Sequence, residues 1–135
     1  MASDYEVFCN FIEQREAERA WACKCQPIIF SKKDMATAFR KGMLPWDGYG
    51  WLYRKVMIDR LLSGNEVKIT DSTIKVEGQV IICTHLRAGV RRFTPPDRRT
   101  ALAAVNWAIK VEDDEFNQIQ LPSDEININE EGNRE

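Results

Sequence analysis

Carboxylates are nearly missing from the middle of this chain. Between Gln79 and Val111 Asp97 is the only one. Histidine is almost absent too, His85 being the single example, and no apolar run approaches the roughly 20 residues that a membrane span requires. The N-terminus Met1-Ala2-Ser3-Asp4-Tyr5-Glu6 lacks the basic and apolar regions of a signal peptide, so the expectation is a soluble protein outside the secretory route with no membrane partner. Four cysteines, with Cys23 and Cys25 one residue apart, do not make a secreted disulfide framework and are expected to stay thiols. A nuclease or acyl-transfer site at His85 would need a nucleophile or paired carboxylates around it, and with Asp97 as the only acid near it in sequence the reading is not an enzyme, with no catalytic residue and no cofactor.

What is present is segregated charge. The formal net charge is −2, yet residues 31 to 110 carry 15 Lys/Arg against seven Asp/Glu, while residues 111 to 135 carry one Arg against nine acids. A basic body with so few internal acids repels itself, and an anionic partner explains it best; nucleic acid is the commonest polyanion a cell offers. The plainer account is that the arginines are solvated charges on the wet face of an antiparallel sheet.

At 135 residues the chain suits one domain, expected over 1–122 and burying roughly two-thirds of its unfolded surface; 123–135 reads as an acidic disordered tail. That tail could fold back over the basic face. Ser3-Asp4-Tyr5-Glu6 fits a capping box that opens a helix over about 4–24, and Ser31-Lys32-Lys33-Asp34 opens a second. Asp47 is a candidate N-cap for a third helix reaching Leu62, with Trp51, Leu52, Met57, Ile58 and Leu61 inward. From Glu66 the period becomes two, so Val67-Ile69, Ile74-Val76 and Val80 to Arg87 read as strands. Asp97 caps a helix over about 98–111 carrying Leu102, Val105 and Ile109, and Phe116 to Leu121 reads as a returning edge strand. The fold class is α+β: N-terminal helices, an antiparallel sheet of about four strands and a closing C-terminal helix.

The register of the Arg-rich hairpin has two solutions. If Ala88-Gly89 is a two-residue turn, Ile82, Leu86 and Phe93 share the core face, and Cys83, His85, Arg87, Arg92 and Thr94 share the other; a three-residue loop puts Arg91 in place of Arg92. Cys23, Cys25, Cys83 and His85 could in principle supply four zinc ligands, but one-residue spacings are atypical and the expectation is no metal. Gly50-Trp51 is a Gly-Trp pair near the start of the third helix, where a tryptophan is more often core.

Cys83-Thr84, Leu86-Arg87, Gly89-Val90, Arg99-Thr100-Ala101-Leu102 and Ala108-Ile109, preceded by Trp46, Tyr49-Gly50, Arg54-Lys55 and Asp59-Arg60, resemble the tombusvirus and aureusvirus RNA-silencing suppressors, most of all the shorter aureusvirus member. The resemblance covers residues 46 to 110. It implies a viral protein of the host cytoplasm that binds double-stranded RNA, siRNA and longer duplexes, regardless of sequence. It further implies a homodimer with a continuous concave sheet as its floor. By position, Arg54 and Lys55 become helix contacts to phosphate. His85, Arg87, Arg91, Arg92 and Thr94, with Arg98, Arg99 and Thr100, become floor or floor-edge contacts. Trp21, Trp46 and Trp51 are candidates for stacking on duplex ends. The hairpin is shorter than the family pattern, and the N-terminal helix has Trp21 without the family's second tryptophan. The alternative function is a protein-interaction adaptor that binds Argonaute through the Gly-Trp pair.

Overall fold

A computed structural model describes residues 3–120, with side-chain surroundings through Asp113. The acidic tail therefore lies outside the described residues. The chain divides into two compact units, one ending at Ser63 and one starting at Gly64, where the sequence suggested a single domain.

The first unit is three helices, α1 (Asp4–Cys23), α2 (Lys32–Arg40) and α3 (Pro45–Leu62). The Ser3 capping box forms in full, and Ser31 caps its helix through its own side chain. Ser3 accepts from the Glu6 amide at 3.1 Å while Glu6 accepts from the Ser3 amide at 3.0 Å, and Ser31 accepts from the Asp34 amide. At the far end of α1, Lys24 adopts the left-handed conformation and the Cys25 amide reaches back to the Ala20 carbonyl, which stops the helix before Pro27. Helix α3 begins earlier than Asp47. Pro45 occupies its first turn, where its missing N–H costs nothing, and Leu44 stands at the cap without a side-chain bond. Phe8, Ile12, Ala20, Met35, Ala38, Leu52, Met57 and Leu61 form the core of this unit. α1 crosses α3 closely enough at Gly48 that an added Cβ would sit 2.7 Å from the Phe8 ring.

The second unit is a four-stranded antiparallel meander, β1 (Val67–Ile69), β2 (Ser72–Glu77), β3 (Val80–His85) and β4 (Gly89–Phe93), in the order β1-β2-β3-β4, with α4 (Arg98–Gln120) packed on one face. The α+β class is as expected. Residues 116–120 belong to α4 instead of forming an edge strand, and Leu121 is outside the described residues. Inward-facing Val67, Ile69, Ile74, Ile81 and Cys83 meet a helix stripe of Ala101, Ala104, Val105 and Ala108. These small residues at i, i+3, i+4 and i+7 let the helix lie close to the sheet. Leu102, expected in that stripe, is exposed instead. Among the described residues no helix is long and apolar enough to cross a membrane.

Candidate nucleic-acid interface

The hairpin between β3 and β4 decides which arginine faces where. His85 pairs with Gly89, Cys83 with Arg91 and Ile82 with Arg92, so Leu86-Arg87-Ala88 is a three-residue loop. Gly89, at φ +86°, takes the left-handed position that would strain any side-chain-bearing residue. Arg91 does share a face with Cys83 and His85, as the longer loop requires. That face, however, is the one beneath α4. Cys83 and His85 are buried, and burial pushes the Cys83 thiol up to about 11, against the opposing pull of Arg91. The assignment of Ile82 and Leu86 to the core is corrected accordingly. Ile82 lies half-buried on the open face, and Leu86 sits in the loop, 87% exposed.

The open face is read directly from the ladder. Lys68 opposes Thr73, Thr73 opposes Thr84 and Thr84 opposes Val90, which lays three polar side chains in one row across four strands. The next row on the same face is Lys75, Ile82 and Arg92. Glu77 and Val80 pair in a further row of that face, and Glu77 forms an ion pair with Lys75 at 2.8 Å. Among the described residues Lys68 and Arg92 make no ion pair. With strands about 4.8 Å apart, the four-strand face is roughly 15 Å wide. Lys68, Thr73, Lys75 and Thr84 were not singled out from sequence. Their signal was legible all the same, since Val67, Ile69 and Ile74 pointing inward turns the intervening residues outward.

Among the expected contacts, Arg92 is on this face, Arg87 is in the loop and Thr94 follows β4, all exposed. Arg91 is on the opposite face, its guanidinium 5.1 Å from the Phe93 ring centroid. Arg98 and Arg99 are exposed in the first turn of α4. Thr100 is committed to that helix's cap. Its amide donates to the Asp97 carboxylate at 3.0 Å, its hydroxyl accepts from the Asp97 amide and donates to the Pro95 carbonyl. The Thr100 amide and hydroxyl hold the Asp97 carboxyl below the usual carboxylate range.

His85 is corrected most sharply, because at 3% exposure it cannot be a floor contact. Its Nδ1 accepts from the Arg87 amide at 3.0 Å and the Ala88 amide at 3.1 Å, so the ring proton resides on Nε2 and is donated to Glu112 Oε2 on α4 at 3.2 Å. Glu112 also accepts from the Asp71 amide at 3.2 Å. Asp71, His85 and Glu112 place ligand atoms within 4.8 Å of one another, the group among the described residues that could hold a cation. Metal at Nε2 would move the ring proton to Nδ1, against two N–H donors. The cluster therefore works as a clasp between sheet end and helix. No cysteine belongs to it.

In the helical unit the expected contacts are largely engaged. Lys55 lies between Asp34 at 3.4 Å and Asp59 at 3.2 Å, and the Asp59 hydrogen bond raises its pKa. Arg54 Nη1 donates to the Gly50 carbonyl at 3.1 Å. Trp51 is half-buried with the Lys41 ammonium 5.1 Å from its ring, so it is not a free hook. Trp46 is 59% exposed and carries the Arg15 guanidinium 4.5 Å above its ring, while Trp21, at 85%, is the most open of the three.

No protein-family model, curated protein or solved structure matches this chain.

Proposed function

We propose that the chain binds double-stranded RNA without catalysis and without reading its sequence, as a viral suppressor of RNA silencing that sequesters siRNA and longer duplexes. The observation that carries this reading is the open sheet face, where Lys68, Lys75 and Arg92 flank the paired hydroxyls of Thr73 and Thr84. An A-form duplex hides its base edges in a deep groove and displays 2′-hydroxyls in a shallow one. Cations on such a face, with short hydroxyl side chains between them, can follow that shape but cannot tell one base from another. The sheet unit alone supports this; the reading does not depend on Arg54 or Lys55.

A homodimer extends the same logic. β4 is an edge strand with Gly89 to Arg92 exposed, and pairing it with β4 of a second copy would double the floor to eight strands. Arg91 and Arg92 on that edge discourage indiscriminate pairing, and the dimer is expected to tighten when a polyanion on the open face neutralises Arg92. In the cytoplasm of a host such a protein would withhold duplexes from the silencing machinery.

The test is a mobility shift with an RNA duplex and a DNA duplex of equal length, run with the unsubstituted chain and with Lys75→Glu/Arg92→Glu. RNA should be retarded, DNA markedly less, and the double variant should release the RNA. Equal retention of RNA by the variant would remove the open face as the binding surface.

A further inference from the structure

Buried inside the sheet unit, His85 cannot touch a duplex, yet one end of its ring holds the loop that can. The Leu86-Arg87-Ala88 loop leaves the ladder after His85 and rejoins it at Gly89. The amides of Arg87 and Ala88 converge on a single acceptor, His85 Nδ1. The other end of the ring is fixed by Glu112, which also takes the Asp71 amide of the neighbouring β1–β2 turn. One imidazole thus ties a surface loop to the helix behind the sheet. A loop held this way has already lost the freedom that binding would otherwise remove, and a prearranged contact binds more tightly than the same contact on a mobile segment.

We infer that His85 is a positioning residue for duplex recognition, acting through the Arg87 and Ala88 amides to hold Arg87 where it meets a phosphate. This rests on the RNA-binding reading proposed above. Glu112 is the second member of the device, because its carboxylate fixes the tautomer that leaves Nδ1 free to accept. The role explains a buried polar side chain at a site where sheet packing would favour an aliphatic residue, as at Ile74 and Ile81.

Two substitutions separate the two ends of the ring. His85→Asn keeps an acceptor near Nδ1 and gives up the donor to Glu112; His85→Gln keeps a donor for Glu112 and gives up the acceptor. Hydrogen exchange of the Arg87 and Ala88 amides in the free protein reads the brace, and RNA-duplex affinity against salt concentration reads its consequence. In the unsubstituted chain and in His85→Asn both amides should be protected. In His85→Gln they should exchange freely, affinity should fall about three- to tenfold, and the salt slope should shrink by about one phosphate. Arg87→Ala should lose the same amount, and adding His85→Gln to it should cost nothing more.

Undiminished affinity and slope in His85→Gln would overturn the inference while leaving RNA binding intact. So would an equal further loss on the Arg87→Ala background, because a merely structural role adds wherever it is placed. Free exchange of both amides in the unsubstituted protein would also overturn it, whatever the variants do. If the unsubstituted chain fails to bind RNA duplexes at low salt while its amides are protected, the functional reading falls and takes this role with it.

Discussion

In the helical unit a carboxylate with 1% exposure gathers four donors, whereas on the open face of the sheet unit lysine and arginine stand beside threonine and isoleucine. Glu16 accepts from Arg19 Nε and Nη2 at 2.8 and 2.7 Å, from the Ile28 amide at 2.7 Å and from Tyr49 at 2.9 Å. Burial alone would raise its pKa. The bonds from Arg19, the Ile28 amide and Tyr49 outweigh burial and leave the carboxyl below its ordinary value. The same network pushes the Tyr49 hydroxyl upward, burial being the larger cause. Glu16 thereby ties α1 to α3 and to the 25–30 segment. On the open face of the sheet, Glu77 pairs with Lys75, while Lys68 and Arg92 make no ion pair among the described residues. The contrast teaches that net charge says little about binding until each charge is assigned an internal partner or denied one.

Removing Glu16 should break the comparison from the helical side. Glu16→Ala leaves Arg19 and the Ile28 amide without their shared acceptor, and the helical unit should lose about 3–5 kcal/mol, read by denaturant unfolding and by amide exchange across Asp4–Cys23. The pH dependence follows from the lowered pKa. The stabilisation is fully present above the unfolded value near pH 4.3 and is lost as pH falls through the lower folded value, so Glu16→Gln should be less stable at pH 7 and flatter in acid.

Charge reversal tests the other side. Lys75→Glu/Arg92→Glu should weaken RNA-duplex binding by about 100-fold at moderate salt while changing unfolding stability by no more than about 0.5 kcal/mol, since both side chains are exposed. A helical-unit counterpart, Lys55→Ala, should leave duplex affinity nearly unchanged, which a binding titration can read against the double variant.

Two smaller effects sharpen the picture of how each unit packs. Gly48→Ala drives a methyl into Phe8 and should cost about 1–3 kcal/mol by thermal or denaturant unfolding. Ser72, across from His85 on the helix-covered face, buries a hydroxyl with no hydrogen-bond partner among the described residues. Ser72→Ala should therefore be neutral or stabilise the sheet unit by up to about 1 kcal/mol in the same assay.

Legibility in the sequence followed locality. Capping boxes at Ser3 and Ser31, the switch to period two after Glu66 and the α+β order need only neighbours a few residues apart, and all could be read in advance. The sheet's faces were only partly legible: alternation in β1 and β2 turns Lys68, Thr73 and Lys75 outward, but β3 read with Ile82 inward and Cys83 outward is reversed in the structure, at either loop length. Ala88-Gly89 admitted either register, and the bonds from two amides to His85 Nδ1, with Glu112 27 residues away in support, are a tertiary arrangement that no local pattern encodes. Helix α4 likewise runs through Gln120, where β-prone Phe116 and Ile119 suggested a strand. Arg54 and Lys55 looked like projecting cations until the partners Gly50, Asp34 and Asp59 appeared around them.

The central claim is that an open cationic sheet face recognises the shape of paired ribonucleotides. Titration of the unsubstituted chain with an RNA duplex and with a DNA duplex of the same length, each at low and moderate salt, addresses it most directly. The account predicts that RNA binds more tightly than DNA and that its affinity drops steeply with salt, by about 10³-fold where six or more phosphates are engaged. Equal affinity for both duplexes, or no binding to RNA at low salt, would contradict it.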